Sequence, residues 1–509
     1  MAIIEASSAL LVSVLLLIPL LITLIQKCVQ KQNKNLPPSP LKLPFIGNLH
    51  QLGSLPHQSL CQLSKKYGSV MLLHLGNVPS VIISSAEAAK QVMKTHDLSS
   101  CSRPQLHGPK QLTYNFQDLA FSPYGKYWRE IRKICVLEVF SVKRVNSYQS
   151  VREEEVTKLI NSISHHSTSS PGAAVDLTEK LFAFTGSIIF RTAFGTTFKD
   201  TNFCDEKLDD ILEEVVIFMG SFCAAEYFPY VGWIVDKISG LEQRRERIFH
   251  KMNDFFQRVI DDHLSPGRDK QDQHEDIVDV LLKIVKEQTG FGATSLTINN
   301  VKGVLLDMFI GGIDTGAITM VWAMAELIKR PKLLKKAQDE VRTCIGNKGK
   351  VSETDTDHLQ YLKMIVKETL RLHPPSPMLL RETISHFTIN GYQIMPKTLL
   401  QVNVWAIGRD PNSWKDPEEF IPERFLDSFI DFKGQQFELL PFGSGRRMCP
   451  AIHMGTTIIE VGLANLLYSF DWKLADGMKE QDFNMDEIAG HSLTICKKTA
   501  LNLVPKKPF

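Results

Sequence analysis

The chain has 509 residues, of which 43% are hydrophobic and 22% are charged, and its formal net charge is +2 at pH 7. So small an excess of positive charge gives no reason to expect a nucleic acid as a partner. Its nine cysteines show no paired spacing, so we predict no disulfide framework and reduced thiols that face the cytosol. Length alone would allow roughly two to four domains, but no linker, charge block or repeat divides the middle of the chain.

The first predicted element is a membrane-spanning helix. Residues Ala9 to Ile25 are uncharged and almost all apolar, and as a helix they would measure about 25 Å, close to the thickness of a bilayer core. Glu5 precedes this run and several lysines follow it, so the positive-inside rule leaves the following chain in the cytosol. A cleaved secretory signal is the alternative, but neither a basic first region nor a small-residue cleavage site is visible. We therefore predict a membrane anchor at residues 1–26.

Residues 27–48 are predicted to form a basic, proline-rich connector. Prolines cluster in Leu36–Pro40, and a further proline stands in Leu43–Asn48. Because proline fixes φ and disfavours helix, this part of the chain should leave the membrane as a stiff, extended segment. Residues 49–509 are then expected to fold as one domain.

The periodicity of that domain is mostly helical. Short strands are predicted at Val70–Leu75 and Val81–Ser84, and a strand and turn at Gly391–Gln401. Predicted helices are Tyr124–Leu137, Arg152–Ile163, Leu241–His263, Asp276–Lys286, Thr297–Lys329, Pro331–Ile345 and Leu359–Leu372. This distribution favours a mainly α fold with a minor β-sheet over alternating βαβ units.

Two pairs of side chains share helix faces. Trp128 and Arg132 are four residues apart in the predicted helix Tyr124–Leu137. Glu368 and Arg371 are three residues apart in another predicted helix. Taken alone, both pairs are typical of a solvated helix surface, where such contacts contribute little to stability.

The long predicted helix contains residues that a helix interior disfavours. Gly311 and Gly312 each cost about 1 kcal/mol relative to alanine. Asp314 and Thr315 follow, and their side chains can compete for main-chain hydrogen bonds. Close approach of a large flat group would explain this composition, and so would a kink in a packed helix.

The segment Pro441–Pro450 ends in a cysteine, Cys449, directly before an apolar helical stretch. A helix N-terminus and a nearby arginine favour the thiolate form of such a residue, while Gly443 and Gly445 allow tight turns. A single soft thiolate without further cysteine or histidine ligands does not suit zinc but does suit a haem iron. The alternative is a buried structural cysteine.

Four motifs together resemble the cytochrome P450 superfamily of haem-thiolate monooxygenases. They stand in that family's order and read Trp128-x-x-x-Arg132, Gly311-Gly312-Ile313-Asp314-Thr315, Glu368-x-x-Arg371 and Phe442-x-x-Gly445-x-Arg447-x-Cys449. The residues of these motifs are similar to those in the plant branch of microsomal P450s that oxidises specialised metabolites. The resemblance implies the cytochrome P450 fold, preceded here by a single N-terminal transmembrane helix.

The resemblance also implies haem b as the cofactor, with Cys449 as the ligand of its iron. Phe442 belongs to the same haem-binding loop. Trp128 and Arg132 are expected to point at one haem propionate and Arg447 at the other, because a buried carboxylate needs charge-assisted hydrogen bonds.

Two positions depart from the family pattern. The segment Pro377–Arg381 is one residue shorter than in relatives, so the sequence leaves open whether Arg381 is a third propionate partner. Ala451 stands where the family often has glycine, and we expect this methyl group to tune the site without abolishing it.

The family assigns its oxygen chemistry to the long helix. Gly311 and Gly312 would open a groove over the haem in which dioxygen binds. Thr315 would hold dioxygen and a water molecule by hydrogen bonding, and Asp314 would help to relay protons. The thiolate would push electron density from the opposite face of the haem.

A further implied feature is structural. In the family, Glu368, Arg371 and Arg424 form a buried network that positions the cysteine loop. Removing one partner would leave a buried charge unpaired, so single substitutions are predicted to lose haem or to prevent folding.

The expected substrate pocket is mainly apolar. By family topology its walls are Gln111–Phe121, Phe218–Tyr227, the first half of the long helix, Ser376–Leu380 and Ala489–Leu493. The apolar members of those walls are Phe116, Phe218, Met219, Phe222, Met308, Phe309, Met378 and Leu379. A lipophilic substrate such as a terpenoid, an alkaloid or a phenolic would follow, unless many of these side chains are simply core.

These inferences predict a membrane-bound monooxygenase that inserts one atom of O2 into a lipophilic metabolite. The chain lacks a flavin or dinucleotide fingerprint, so electrons from NADPH should arrive through a separate NADPH–cytochrome P450 reductase. The family implies a single-pass protein of the endoplasmic reticulum membrane with its catalytic domain in the cytosol. A haem-thiolate isomerase or dehydratase is the alternative, which the presence of Asp314 and Thr315 disfavours, and a haem-binding protein without turnover is a third possibility.

Overall fold

The computed structural model describes residues 35–195, 208–266, 275–287, 296–475, 478–489 and 494–508. The predicted anchor at residues 1–26 lies outside these ranges, as do the first part of the connector and residues 490–493 of the predicted pocket wall. In the described part the protein is mainly helical with small sheets, which confirms the predicted fold class.

The helices follow one another along most of the chain. In order they are α1 (Pro56–Tyr67), α2 (Ala86–Lys90), α3 (Asp97–Ser100), α4 (His107–Leu112), α5 (Lys126–Ile134), α6 (Val142–Ser147), α7 (Gln149–Ser169), α8 (Leu177–Phe194), α9 (Leu208–Met219), α10 (Ala224–Tyr227), α11 (Gly232–Ile238), α12 (Leu241–Leu264), α13 (Ile277–Glu287), α14 (Ile298–Ile328), α15 (Pro331–Ile345), α16 (Gln360–Leu372), α17 (Val404–Ile407) and α18 (Ile452–Ser469). Helix α2 continues into a π-helical turn at Gln91–Thr95 and α5 into one at Cys135–Val139. Short 3₁₀ turns lie at Leu49–Gln51, Thr354–His358, Pro422–Phe425 and Gly445–Arg447.

The strands form small separate sheets. In chain order they are β1 (Val70–Leu75), β2 (Val78–Ile83), β3 (Val175–Asp176), β4 (Met378–Glu382), β5 (Phe387–Ile389), β6 (Tyr392–Ile394), β7 (Leu399–Asn403), β8 (Asp471–Leu474), β9 (Glu487–Ala489), β10 (Ile495–Lys497) and β11 (Asn502–Lys506). The largest sheet has the order β1-β2-β7-β4, and within it only β2 and β7 run parallel. The others are β3-β11-β8, β5-β6 and β9-β10.

Strand β2 begins three residues earlier than the sequence predicts. In the sequence, Pro79 indicates the end of a strand, because proline cannot donate a hydrogen bond to the neighbouring strand. It pairs opposite His74 of β1, whereas the parallel pairing of β2 with β7 starts only at Ser80. Pro79 therefore lies where β2 is still an edge strand, and an edge tolerates proline.

Helix α14 forms the centre of the helical core. A capping box between Thr297 and Asn300 fixes its start, and it packs against α8, α16 and α18. Within the described residues, α14 is the one helix that is long and apolar enough to cross a membrane. However, 61% of its most apolar stretch is buried inside the protein. Its hydropathy is therefore that of a core helix.

The predicted network around Glu368 is confirmed. Glu368 is 0% exposed and accepts hydrogen bonds from Nε and Nη2 of Arg371, both at 2.8 Å. Arg424, from the 3₁₀ turn Pro422–Phe425, donates from Nε at 2.9 Å, and the N–H of Ile421 donates at 2.8 Å. The interpretation of Glu368 and Arg371 as a solvated surface pair is wrong.

Candidate active site

The loop before α18 holds Cys449 in a tight and well-defined position. The N–H of Cys449 donates to the carbonyl of Phe442 at 2.9 Å. Gly443 and Gly445 have φ values of +70° and +68°, which glycine adopts at little cost. A Cβ on Gly445 would lie 2.4 Å from the carbonyl oxygen of Met93, so this glycine admits the neighbouring main chain.

The charge state of Cys449 is set by opposing effects. Burial is the largest and raises the pKa of the thiol, whereas a hydrogen bond from the N–H of Ala451 and the positive charge of Arg132 lower it. From the sequence we expected a helix start and an arginine to lower the pKa of Cys449. The larger, opposite effect of burial on that pKa was not predicted. A coordinated metal ion deprotonates a thiol outright, so this environment is compatible with a thiolate ligand to iron.

Arg447 is held by the main chain of two neighbouring segments. Its Nε donates to Cys101 at 2.8 Å, Nη1 to Leu119 at 3.3 Å and Nη2 to Ser122 at 2.6 Å, each time to a carbonyl oxygen. The Arg447 guanidinium stacks on Trp128, with its Cζ 4.2 Å from the centroid of the Trp128 ring. The indole N–H of Trp128 donates to the carbonyl of Leu119 at 3.1 Å. The indole N–H that the resemblance directs to a propionate thus has a partner within the protein.

Two of the arginines near the loop have no carboxylate partner among the described residues. In the described part of the chain neither Arg447 nor Arg132 forms a salt bridge with a carboxylate. Burial and the charges of Arg103 and Arg381 lower the pKa of Arg447 to about 8. Burial also lowers the pKa of Arg132, although the charge of Cys449 opposes this effect. A cation that is largely removed from water is costly without an opposite charge, and the two carboxylates of a haem would supply that charge.

Arg381, whose role the sequence left open, links β4 to the cysteine loop. It is 2% exposed and forms a salt bridge with Asp97 at 2.7 Å, while Nη2 donates to the carbonyl of Ser444 at 2.7 Å. Arg446 pairs with the other oxygen of Asp97 at 2.7 Å. Arg381 therefore braces the loop, and neither Asp97 nor Arg103 was expected at this place from the sequence.

Helix α14 is buried on both sides of a partly exposed step at Ile310–Thr315. A Cβ on Gly311 would meet no atom within 4 Å, but one on Gly312 would lie 2.7 Å from Cδ1 of Ile189 on α8. Gly311 thus borders open space, as the predicted groove requires. Gly312 instead allows the close packing of α14 against α8. Glycine is therefore required at position 312 for helix packing, whereas at position 311 it borders open space.

The polar residues of this step lie beside that space. The hydroxyl of Thr315 donates to the carbonyl of Gly311 at 2.7 Å, which leaves its lone pairs free to accept a hydrogen bond from a molecule in the space. Burial and then the negative charge of Asp314 raise the pKa of the Cys496 thiol, so the Asp314 carboxylate lies near strand β10.

The predicted pocket wall is only partly where the sequence places it. Phe309 stacks against Phe194, with ring centroids 5.2 Å apart, inside the aromatic core. Phe222 is 58% exposed and stacks on Tyr227 at the surface. Assigning these two phenylalanines to the pocket is therefore wrong. Leu379 does reach the cysteine loop, 3.6 Å from the position of a Cβ on Gly443.

This donor set fits a haem: a soft thiol, two arginines without carboxylate partners, and open space beside a hydroxyl on the central helix. Fold and site define a haem-thiolate protein. The family profile of Cytochrome P450 matches residues 37–500, so the chain belongs to the cytochrome P450 family.

Similar proteins are found among plant enzymes of this family. The chain is 52% identical to cytochrome P450 71B34 of Arabidopsis thaliana over 498 residues, which cover 98% of both chains. It is 53% identical to cytochrome P450 71B37 of the same plant over 479 residues, or 94% of both chains. The protein is accordingly a cytochrome P450 monooxygenase with haem as its cofactor, and the predicted likeness to the plant branch is confirmed.

Proposed function

We propose that this monooxygenase is bound to the endoplasmic reticulum membrane and inserts one atom of O2 into a lipophilic small molecule, a terpenoid, an alkaloid or a phenolic. Its electrons come from NADPH through NADPH–cytochrome P450 reductase. The observation that carries the proposal is the partly exposed step Ile310–Thr315 in the middle of the buried helix α14. Such a step gives a flat cofactor and dioxygen a place beside Thr315.

The haem is held by residues of α5 and the cysteine loop. Cys449 supplies the thiolate ligand of the iron, Phe442 packs beside it, and Arg132 and Arg447 bind the propionates by charge-assisted hydrogen bonds. Trp128 contributes mainly through its stacking on Arg447. When bound, the haem supplies the redox chemistry that activates dioxygen.

Thr315 and Asp314 manage protons on the oxygen side. The Thr315 hydroxyl donates to Gly311, so its oxygen can accept a hydrogen bond from a water molecule and hold it in place. The carboxylate of Asp314, on the same step of α14, exchanges protons with that water. Proton transfer through positioned groups of this kind contributes ~10²–10⁴-fold to rate in enzymes.

The surroundings of the step support a lipophilic substrate. Ile310 and Ile313 are half-buried at the step, and Met378 and Leu379 are half-buried on β4. Apolar side chains that are partly exposed inside a protein favour ligands with an apolar surface.

Two groups of exposed apolar residues support attachment to a membrane, with residues 1–26 as the anchor, 27–48 as the connector and 49–509 as the catalytic domain. One group lies in the connector and the other around α11: Leu41, Phe45, Tyr230, Trp233 and Ile238 are 83%, 70%, 83%, 56% and 82% exposed. The β1–β2 turn joins the groups, because the N–H of Gly76 donates to Ile46 and that of Asn77 to Tyr227. Contiguous exposed apolar surface is typical of a membrane contact.

Tryptophan fluorescence tests this contact. The difference in fluorescence between wild type and Trp233→Phe is the emission of Trp233, and brominated lipids should quench it. Emission of Trp233 that brominated lipids leave unquenched would contradict the contact.

The outer face of α5 supports docking of an acidic reductase surface. Lys126, Arg129 and Lys133 are exposed there, at a spacing that places them on one helix face. Trp128 lies on the buried side of the same helix and Arg132 is half-buried beside the basic face, so a partner docked on α5 is close to the cofactor. Complementary charge raises association rates.

The carbon-monoxide difference spectrum of the reduced protein in membranes tests the haem ligand. Wild type should show the Soret shift of a thiolate-ligated haem, and Cys449→Ala should lose it. A normal shift in Cys449→Ala, or none in folded haem-loaded wild type, would mean that the ligand is wrongly assigned.

A further inference from the structure

A pair of carboxyl groups outside the recognised motifs, Asp118 buried and Asp307 half-buried, joins helix α14 to a neighbouring loop. Oδ2 of Asp307, on α14, accepts hydrogen bonds from the N–H groups of Leu119 at 2.6 Å and Ala120 at 3.3 Å. Asp118, 0% exposed, accepts from the N–H of Phe121 at 2.7 Å through Oδ2. Its Oδ1 is buried and has no hydrogen-bond donor among the described residues.

The same loop, residues 118–122, also holds the arginine of the cysteine loop. The carbonyl of Leu119, whose N–H is bound by Asp307, accepts hydrogen bonds from Trp128 at 3.1 Å and from Arg447 at 3.3 Å. The carbonyl of Ser122 accepts from Arg447 at 2.6 Å. The peptide group between Leu119 and Ala120, whose N–H donates to Asp307 and whose carbonyl accepts from Arg447, thus connects the central helix to the guanidinium beside Cys449.

The loop packs closely on α14 at a second point. The carbonyl of Gln117 lies 2.4 Å from where a Cβ on Gly303 would be. Asp307 stands one turn beyond Gly303 and one turn before Gly311, so the three positions share a face of α14. Glycine at 303 and aspartate at 307 together fix the loop against the helix, just ahead of the open step.

We propose that Asp307 is a positioning residue for haem binding: together with Asp118 it fixes the loop 118–122, whose carbonyl groups orient Arg447 toward a propionate. This inference rests on the role proposed above for Arg447. Asp307 acts through the loop and is not itself placed against the cofactor.

The two carboxyl groups hold a proton between them up to a higher pH than an isolated carboxyl group would. Burial and then the charge of Asp118 raise the pKa of Asp307 well above its usual value. Burial raises the pKa of Asp118 as well, to about 6. Two adjacent carboxylates with little access to water cannot both ionise readily, and a proton on Asp307 would give the unpartnered oxygen of Asp118 a donor.

The groups that face the pair stabilise one negative charge but not two. Arg447 on the cysteine loop and Arg103 on the segment before α4 are the cations whose charges act on it. Tyr127 and Cys135 face it from α5 and the following π-helical turn, and burial raises the pKa of both groups. They therefore stay neutral.

A raised pKa for a carboxyl group means that the folded state binds its proton more tightly than the unfolded state. The resulting stability is present at low pH and is lost as the pH rises from an unfolded pKa of about 4 toward the raised folded value. Ionisation of Asp307 then adds a second negative charge to the pair and loosens the loop. Haem release should therefore accelerate with pH.

The test is the rate of haem transfer from the full-length holoprotein to excess apomyoglobin, measured from acidic to alkaline pH. Asp307→Ala removes both acceptor contacts. Because a protonated Asp307 is neutral, haem release should become about two- to tenfold faster, the factor expected for losing a neutral hydrogen bond. Asp307→Asn keeps the acceptor oxygen and a neutral donor toward Asp118, so its haem-release rate should match that of wild type at the acidic end of the range and stay flat as the pH rises. Val341→Ala at a fully buried position on α15 controls for general destabilisation and should keep the wild-type pH profile.

Separate outcomes identify which idea fails. If Asp307→Ala releases haem at the wild-type rate while Arg447→Gln releases it faster, the inference is overturned and the proposed site still stands. Wild-type release by Arg447→Gln would show that Arg447 binds no propionate, and the proposed site would fail first. If Asp307→Ala does not accumulate as folded holoprotein, Asp307→Asn decides, because a wild-type rise of its rate with pH would overturn the inference.

Discussion

Arginine residues around the cysteine loop fall into two kinds according to their partners. Arg381 and Arg446 share the carboxylate of Asp97, and a buried pair of this kind fixes the loop whether or not a cofactor is present. Arg447 and Arg132 have no carboxylate partner among the described residues. Since a half-buried cation without an opposite charge is costly, we propose that these two arginines mark where the anionic groups of a bound cofactor belong.

At the same scale, Thr315 provides a test of proton delivery. Thr315→Ala removes the hydroxyl that donates to Gly311, so the water it would hold is no longer positioned. With reductase present, NADPH should still be consumed, but a larger share of the electrons should end as hydrogen peroxide. Peroxide formed per NADPH oxidised measures this, and we expect an increase on the order of tenfold, below the ~10²–10⁴-fold of a full proton-transfer catalyst.

Thr315→Ser, which keeps the hydroxyl, is the matched control and should stay near the wild-type ratio. An unchanged peroxide yield in Thr315→Ala would remove Thr315 from the oxygen chemistry.

At the scale of elements, α16 and the 3₁₀ turn Pro422–Phe425 are joined by charge. Glu368 on α16 accepts hydrogen bonds from Arg371 on its own helix and from Arg424 on the turn. Arg371 also donates to the carbonyls of Gly408 and Pro417, both at 2.6 Å. The pair thus ties several loop segments to one helix, which is a structural role.

Glu368→Ala should prevent stable folding or haem retention, because it leaves the buried Arg371 unpaired. Breaking such a buried pair costs about 3–5 kcal/mol. The yield of folded, haem-loaded protein measures the effect. Asp339→Ala, which breaks an exposed pair with Lys335, is the control and should change stability by less than about 1 kcal/mol. Normal haem content in Glu368→Ala would contradict a fold-critical role.

At the scale of the whole molecule, exposed surfaces of different chemistry suit different partners. The connector and α11 expose apolar side chains, whereas the outer face of α5 exposes basic ones. The first matches a lipid surface and the second an acidic protein.

Charge reversal on α5 tests the second surface. Arg129→Glu with Lys133→Glu should raise the reductase concentration needed for half-maximal NADPH consumption, and more so at low salt, where charge steering is strongest. The carbon-monoxide spectrum should stay intact, because neither side chain faces the interior. Lys283→Glu with Lys286→Glu, exposed on α13, is the matched control. An equal effect of both double variants would locate the reductase elsewhere.

Elements with strong local signals could be predicted from the sequence. Helix α15 has its predicted bounds because Pro331 starts it and Gly346 follows its last residue. Helix α14 was found within one residue at each end. Helix α8 was not predicted, since buried residues surround much of its circumference and weaken the amphipathic period on which such predictions depend.

By itself the sequence determined the family, the thiol just before α18, and the positions of the residues that we propose for the oxygen side, since these depend on short motifs with fixed spacing. Only the tertiary structure decided which arginines have partners, why Gly311 and Gly312 differ, and that Asp307 binds the main chain of Leu119, 188 residues earlier. Such contacts join segments far apart in the chain, so no local pattern encodes them. They arise when packing brings the segments together and burial requires each polar group to find a partner.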